Sequence, residues 1–328
     1  MYEHYYGLRE RPFELSSNTK FLFLSAQHHE ALIHLRHGLS GRPGITLLIG
    51  DAGMGKSTLV RAALTSEQRN ASRIVLLSNP TLTRAEFYEY LARAFAFSEA
   101  AATSKVRFLA ELEPAIDACH RDGGVLGLIV DEAQSLPHEL LEELRLLTNM
   151  EGESKRSLTL LLVGQPELSE RLQDPSLRQL KQRVALRSEL GPFTLKETAG
   201  YIAARITVAG GRADAVFTRD AVIAIHQGAK GLPRTISVIC DNALVTGFAT
   251  GIKPVGSETI AAVCADFDLT QPRTPSADED VPRSGNAQTA APSVDEPPAE
   301  SVKRAAPPSL FNEYSQTKRF SFFRGARR

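Results

Sequence analysis

In the stretch Gly50-Asp51-Ala52-Gly53-Met54-Gly55-Lys56-Ser57-Thr58, the eight residues from Gly50 to Ser57 fit the pattern G-x-x-x-x-G-K-[ST]. Such glycines let a backbone curl until successive amide N–H groups face inward, and a loop that ends at a helix N-terminus adds the helix dipole to those donors. A polyphosphate suits that cradle. At this spacing Lys56 can reach the β- and γ-phosphates of a nucleoside triphosphate, and the Ser57 hydroxyl can coordinate Mg²⁺. A second signal lies at Val125-Leu126-Gly127-Leu128-Ile129-Val130-Asp131-Glu132, an apolar run that ends abruptly in two carboxylates. Asp131 is expected to hold Mg²⁺ through its water, and Glu132 to polarise an attacking water. Gln165 follows a third apolar run, Leu158 to Gly164, as a polar side chain where a strand tip would meet the γ-phosphate; an ordinary strand cap is the plainer alternative there.

These residues need a frame, and the surrounding pattern supplies one. Ile45 to Ile49 is a buried strand leading into the loop, and Leu59, Val60, Ala63 and Leu64 give the following helix its apolar side. Arg73 to Ser78 is a short strand stopped by Asn79-Pro80, and Thr83 to Phe97 a helix opened by a capping box from Thr83 to Glu86. Lys105 to His120 is a further helix, and Pro137 to Leu147 carries Leu140, Leu141, Leu144 and Leu147 along one side. Residues 166–183 read as helical and end in the basic cluster Arg178, Lys181, Arg183; Val184 to Leu190 then starts a strand. Strands alternating with helices imply an α/β fold, a parallel sheet sandwiched by helices whose ligands sit at the strands' carboxyl ends.

From Leu195 the strand pattern stops, and four helices (Leu195 to Val208, Thr218 to Gln227, Pro233 to Phe248, Ser257 to Asp266) make a small all-helical lid. In Gly231-Leu232-Pro233-Arg234 the proline fixes a first helical turn and presents Arg234, which could close onto nucleotide phosphates. Near the start of the chain, His28 to Leu39 has helical spacing; since adjacent helix residues face different directions, His28-His29 reads as a solvated surface pair. The expected division is 1–192 for the nucleotide-binding α/β domain with its N-terminal segment, 193–268 for the lid, and 269–328 for a disordered Pro/Ala/Ser-rich tail. The tail's end, Lys318 to Arg328, interleaves basic with aromatic residues and could meet anionic lipid, an envelope protein partner or nucleic acid, or stay unengaged.

Lysine plus arginine and aspartate plus glutamate both number 38, so the whole chain exerts no net pull on nucleic acid. Three scattered cysteines form no C-x-x-C pair, which argues against a disulfide framework or a zinc site and for buried thiols. The N-terminus has no basic-then-apolar leader and no apolar run reaches the length of a membrane span, so the expected location is cytoplasmic, with peripheral contact at the inner membrane through the tail.

Together, the Walker A motif at Gly50 to Thr58, the Walker B motif at Leu126 to Glu132, the polar tip at Gln165, the arginine after the next helix and Gly-x-Pro-Arg in a helical lid resemble AAA+ ATPases over residues 1–268. Tyr6-Gly7-Leu8-Arg9-Glu10-Arg11-Pro12-Phe13, Phe21-Leu22-Phe23-Leu24-Ser25, Val130-Asp131-Glu132-Ala133-Gln134 and Leu162-Val163-Gly164-Gln165-Pro166-Glu167-Leu168 look like the GspA/ExeA type of secretion ATPase. The resemblance implies ATP and Mg²⁺ as cofactors and an adenine site shared by the N-terminal segment and the lid. It makes Glu132 the Walker B base, Gln165 sensor 1 (many AAA+ proteins have Asn there) and Arg234 sensor 2. It also implies a homo-oligomer in which Arg183, with Arg178 as the competing candidate, reaches the nucleotide of a neighbouring subunit. The activity implied is ATP hydrolysis in support of an envelope secretion, pilus or exopolysaccharide export system. A DNA-associated ATPase of the transposition or initiator kind is the alternative, disfavoured by the balanced charge and by the lack of a helix-turn-helix stretch. Proteins of this type often continue into a membrane span and a peptidoglycan-binding domain; neither pattern follows residue 270, so a role at the cell wall is expected to run through a separate partner.

Overall fold

The protein is described from a computed structural model, which covers residues 1–15, 19–41, 44–66, 72–78, 80–150 and 157–267. The expectations for the tail, residues 269–328, and for the Asn79 strand stop lie outside the described residues. A short helix α1 (Glu3–Tyr6) precedes α2 (Ala26–Leu39). Then follow β1 (Ile45–Gly50), α3 (Lys56–Ser66), β2 (Arg73–Leu77), α4 (Arg84–Ala94), α5 (Glu99–Thr103), α6 (Lys105–Arg121), β3 (Leu126–Val130), α7 (His138–Leu147), β4 (Thr159–Gly164), α8 (Pro166–Arg171), α9 (Arg178–Gln182) and β5 (Val184–Leu190). The lid consists of α10 (Leu195–Val208), α11 (Ala213–Val216), α12 (Arg219–Ala229), α13 (Pro233–Thr250) and α14 (Ser257–Asp266).

The five strands form one parallel sheet in the order β2-β3-β4-β1-β5. Every residue of β1, β3 and β4 is buried, as an apolar run covered on both faces requires. Successive side chains alternate between faces. Thus Leu47, Leu128 and Leu160 pack with α4, α6 and α7, while their neighbours Leu48, Ile129 and Leu161 pack with α2 and α3.

Two expected helices are shorter than their apolar spacing suggested. The segment 166–183 breaks into α8, a 3-10 turn at Pro175–Leu177 and α9, because Pro175 has no N–H to continue a helix and Asp174 instead accepts the Ser176 N–H at 2.9 Å. The helix from Thr83 keeps its capping box but stops at Ala94, and Ser98 then caps the separate α5. A third correction concerns His28: its neighbour His29 is exposed, but His28 itself is 3% exposed and belongs to the interior.

Beneath the sheet, Glu143 of α7 joins three helices. Its side chain is 5% exposed and accepts hydrogen bonds from the Tyr88 hydroxyl and from Lys105 Nζ (2.6 Å), with Arg84 paired to its other oxygen. Burial works against the charged carboxylate, but the Lys105 and Tyr88 hydrogen bonds and the two cations prevail and hold its pKa below the ordinary 4.5. Glu143→Ala strands a buried tyrosine hydroxyl and an ammonium, so the expected loss is about 3 kcal/mol in a denaturant titration. Since the native pKa is the lower one, the wild-type contribution is complete above the unfolded value and fades as pH falls through the native value; the wild-type and variant curves should converge in acid.

The first fourteen residues pack on the lid rather than on the sheet. Tyr2, Tyr6, Leu8, Phe13 and Phe21 share one apolar cluster with Ile202, Ile206, Phe217 and Ile236. Polar contacts fix the arrangement: the Tyr2 hydroxyl donates to Asp241, the Tyr6 hydroxyl to the Ile252 carbonyl (3.0 Å), and the Arg9 N–H to the Ala209 carbonyl (2.8 Å). The linear boundary at 192/193 therefore does not separate the two packing units, because the N-terminal segment crosses back to the far one.

Candidate nucleotide site

The loop between β1 and α3 lies at the carboxyl edge of the sheet, and the strand order decides what stands beside it. β4 separates β1 from β3, so Gln165, at the tip of β4, falls between the loop and the acids after β3. Two strand spacings separate β1 from β3, about 10 Å, and side chains from both sides bridge the gap. Ser57 Oγ donates to Asp131 Oδ2 at 2.8 Å. Lys56 is buried and donates from Nζ to the carbonyls of Gly50 (2.6 Å) and Asp51 (3.0 Å). Burial pushes its ammonium below the ordinary lysine value, against the pull of Glu132 and Asp131.

Glu132 sits in the left-handed region, φ 55° and ψ 38°, which is sparsely used by residues with a Cβ. Its N–H donates to Asp131 Oδ1 (3.0 Å), and its carboxylate accepts from Gln165 Nε2 (3.1 Å) and from the Gln134 side-chain amide. Burial opposes ionisation here, but those two amide donors and the Lys56 charge outweigh it, so the carboxyl titrates below the usual glutamate range and is an anion at neutral pH. Gln134 also accepts the Gln165 N–H at 3.1 Å, which ties the acid turn to the β4 tip, and Arg171 Nη1 donates to the carbonyls of Gln134 and Leu136 (2.7 Å to the latter). Gln134 and Arg171 escaped the sequence reading as site residues: one amide in a turn and one arginine bonded to carbonyls leave no spacing rule to detect.

The cleft above the loop has a volume of about 360 Å³ and is bordered by the N-terminal segment and the lid. Its walls bring Phe21 and Phe23 together with Phe193, Tyr201 and Arg234. Arg234 rests directly on the loop. Its N–H donates to the Gly53 carbonyl at 3.2 Å, and a Cβ on Gly53 would lie 2.7 Å from Arg234 Cβ, so only glycine, here at φ +84°, lets the lid approach this closely. Arg205, another residue the sequence reading passed over, is 9% exposed; it donates to the Pro12 carbonyl, the Glu14 carbonyl (3.2 Å) and the Tyr201 hydroxyl (2.7 Å), strapping the N-terminal segment across the cleft. Ala52 to Thr58, Glu132 and Arg234 thus line one cleft, and Asp131 and Gln165 adjoin it through their hydrogen bonds to Ser57 and Glu132.

Arg183 does not join them. It lies at the amino end of β5, where its carbonyl accepts the Ile45 N–H at 2.8 Å and its Nη1 donates to the Thr148 carbonyl at 3.0 Å. β1 runs from Ile45 to Gly50, so Arg183 and the phosphate loop are at opposite ends of a strand about 17 Å long. Arg178, the competing candidate, is exposed on α9.

An AAA-domain family model matches residues 39–172. General secretion pathway protein A of Aeromonas hydrophila is 37% identical over 251 residues, which is 76% of this chain and 46% of that protein. The chain is an AAA+ protein of the GspA/ExeA type. It spans just under half the length of that relative. Solved structures with the same fold include ORC2 of Aeropyrum pernix in ADPNP and ADP complexes (TM-score 0.57, 16% identity, 78% of this chain and 71% of that one). Domain III of the Thermotoga maritima replication initiation protein DnaA is another (TM-score 0.51, 15% identity, 77% and 98%). At such identities the likeness establishes the P-loop fold alone. No helix among the described residues of this AAA+ chain is long and apolar enough to cross a membrane.

Proposed function

We propose that this AAA+ protein hydrolyses ATP as an oligomer, with Mg²⁺, and that the hydrolysis serves an envelope secretion, pilus or exopolysaccharide export system from the cytoplasmic side of the inner membrane. The observation that carries the chemistry is that Lys56, Ser57, Glu132 and Arg234, from separate elements, line one cleft, with Asp131 hydrogen-bonded to Ser57 and Gln165 to Glu132. Hard oxygen donors suit Mg²⁺, and the Ser57 hydroxyl beside the Asp131 carboxylate provides them. When bound, Mg²⁺ supplies charge neutralisation at the phosphates. The chain's own residues do the rest. Lys56 and Arg234 offset phosphate charge, inward backbone N–H groups hold the β-phosphate, the Glu132 anion orients water, and Gln165 fixes the Glu132 carboxylate. The envelope role rests on the similarity to general secretion pathway protein A.

Lys56→Ala is the direct test. Loss of a buried ammonium from the cradle should weaken ATP binding about 100-fold and abolish phosphate release; unchanged turnover would overturn the proposal. For the process served, anionic liposomes should stimulate the ATPase and double-stranded DNA should not. The opposite result would favour the DNA-associated reading.

A further inference from the structure

The structure assigns His28, on the cleft wall beside the loop, a role in phosphate binding, as the residue that orients the Gly55 N–H of the cradle; this inference rests on the nucleotide site proposed above. His28 Nε2 lies 2.9 Å from the Met54 carbonyl oxygen, and Nδ1 lies 2.7 Å from Ser25 Oγ. A carbonyl can only accept, so Nε2 carries the proton; in the neutral ring Nδ1 then accepts the Ser25 hydroxyl hydrogen. Ser25 is the N-cap of α2 and in turn accepts the His28 N–H, so the ring is held from its own helix end.

The consequence follows from peptide planarity. In a trans peptide the carbonyl of one residue and the N–H of the next point in opposite directions. With the Met54 carbonyl drawn toward His28 of α2, the Gly55 N–H is directed the other way, and fixing that direction is what a phosphate cradle needs. Gly55 has φ +87°, a conformation with several nearby alternatives for glycine, so the peptide needs an external hold. His28 supplies it, and the ring also packs against Phe193 of the lid connector at 5.3 Å between centroids. Burial lowers the ring's pKa, against the Met54 carbonyl and the charge of Glu197, which keeps the neutral tautomer in place. The other charged groups around the cleft are Glu14, Lys56, Glu132, Arg205 and Arg234.

Three variants separate this role from simple packing. His28→Ala removes ring and donor, His28→Phe fills the space without a donor, and His28→Gln restores an N–H near the Nε2 position. Measured with a fluorescent ATP analogue, affinity should fall about tenfold in His28→Ala and His28→Phe and return to within about threefold of wild type in His28→Gln. Thermal melting of each variant verifies the fold. If His28→Phe binds as tightly as His28→Gln, the ring only packs and the inference fails. A wild-type chain that binds no nucleotide would instead overturn the site proposal itself.

Discussion

Arg183→Ala is expected to keep ATP affinity and to lower turnover by about 10³, close to 4 kcal/mol of transition-state stabilisation. The position of Arg183 is the reason for both halves of this expectation. Arg183 lies at the amino end of β5, a strand length from the phosphate loop of its own chain, so it contributes nothing to binding there. A guanidinium that reaches a γ-phosphate from this position must do so in another copy, where it would neutralise charge that develops only during bond cleavage. A guanidinium has five N–H donors, so its Thr148 anchor sets a direction and leaves others to present. Wild-type specific activity should rise with protein concentration, and inactive Lys56→Ala chains that keep Arg183 should restore activity to Arg183→Ala chains when the two are mixed. Phosphate release against concentration reads both. A merely structural Arg183 would change melting temperature without this complementation, and a monomer with concentration-independent turnover would exclude a trans arginine. Arg178→Ala serves as the paired control: if it, and not Arg183→Ala, loses turnover, the finger is Arg178.

Glu132→Gln is expected to lower turnover about 10²- to 10³-fold while nucleotide still binds. The substitution keeps the shape and one oxygen able to accept from Gln165 and Gln134, and it removes the negative charge that draws a proton from water. Single-turnover hydrolysis against equilibrium binding distinguishes the two steps; a variant that loses binding in parallel would make Glu132 a cradle residue rather than a base. The pH profile carries a second check. Because the native carboxyl titrates below its ordinary value, wild-type turnover should show no acid limb from Glu132 until the pH falls below about 4.5.

The contiguous part of the site was legible in the sequence because its physics is local. Gly50 to Thr58 supply strand end, turn, backbone donors and helix start in one stretch, and the run to Val130 ends in acids at the position where a buried parallel strand must surface. His28 was read as solvated because helical spacing describes a helix alone; the Met54 carbonyl that captures the ring is 26 residues away. Gln134, Arg171 and Arg205 share that reason, since each acts on carbonyls or amides brought near only by folding.

By itself, then, the chain's residue order determined most element types, the parallel α/β class, the helical lid and the phosphate-loop motif, all consequences of hydrophobic period and of turn and cap chemistry within a few residues. Tertiary structure alone decided the strand order, which interposes Gln165 between cradle and acids and joins Ser57 to Asp131 across 74 positions, and the return of Tyr2, Tyr6 and Phe13 to the lid. Those outcomes depend on which buried surfaces fit one another, and apolar side chains specify burial without naming the neighbour they will meet.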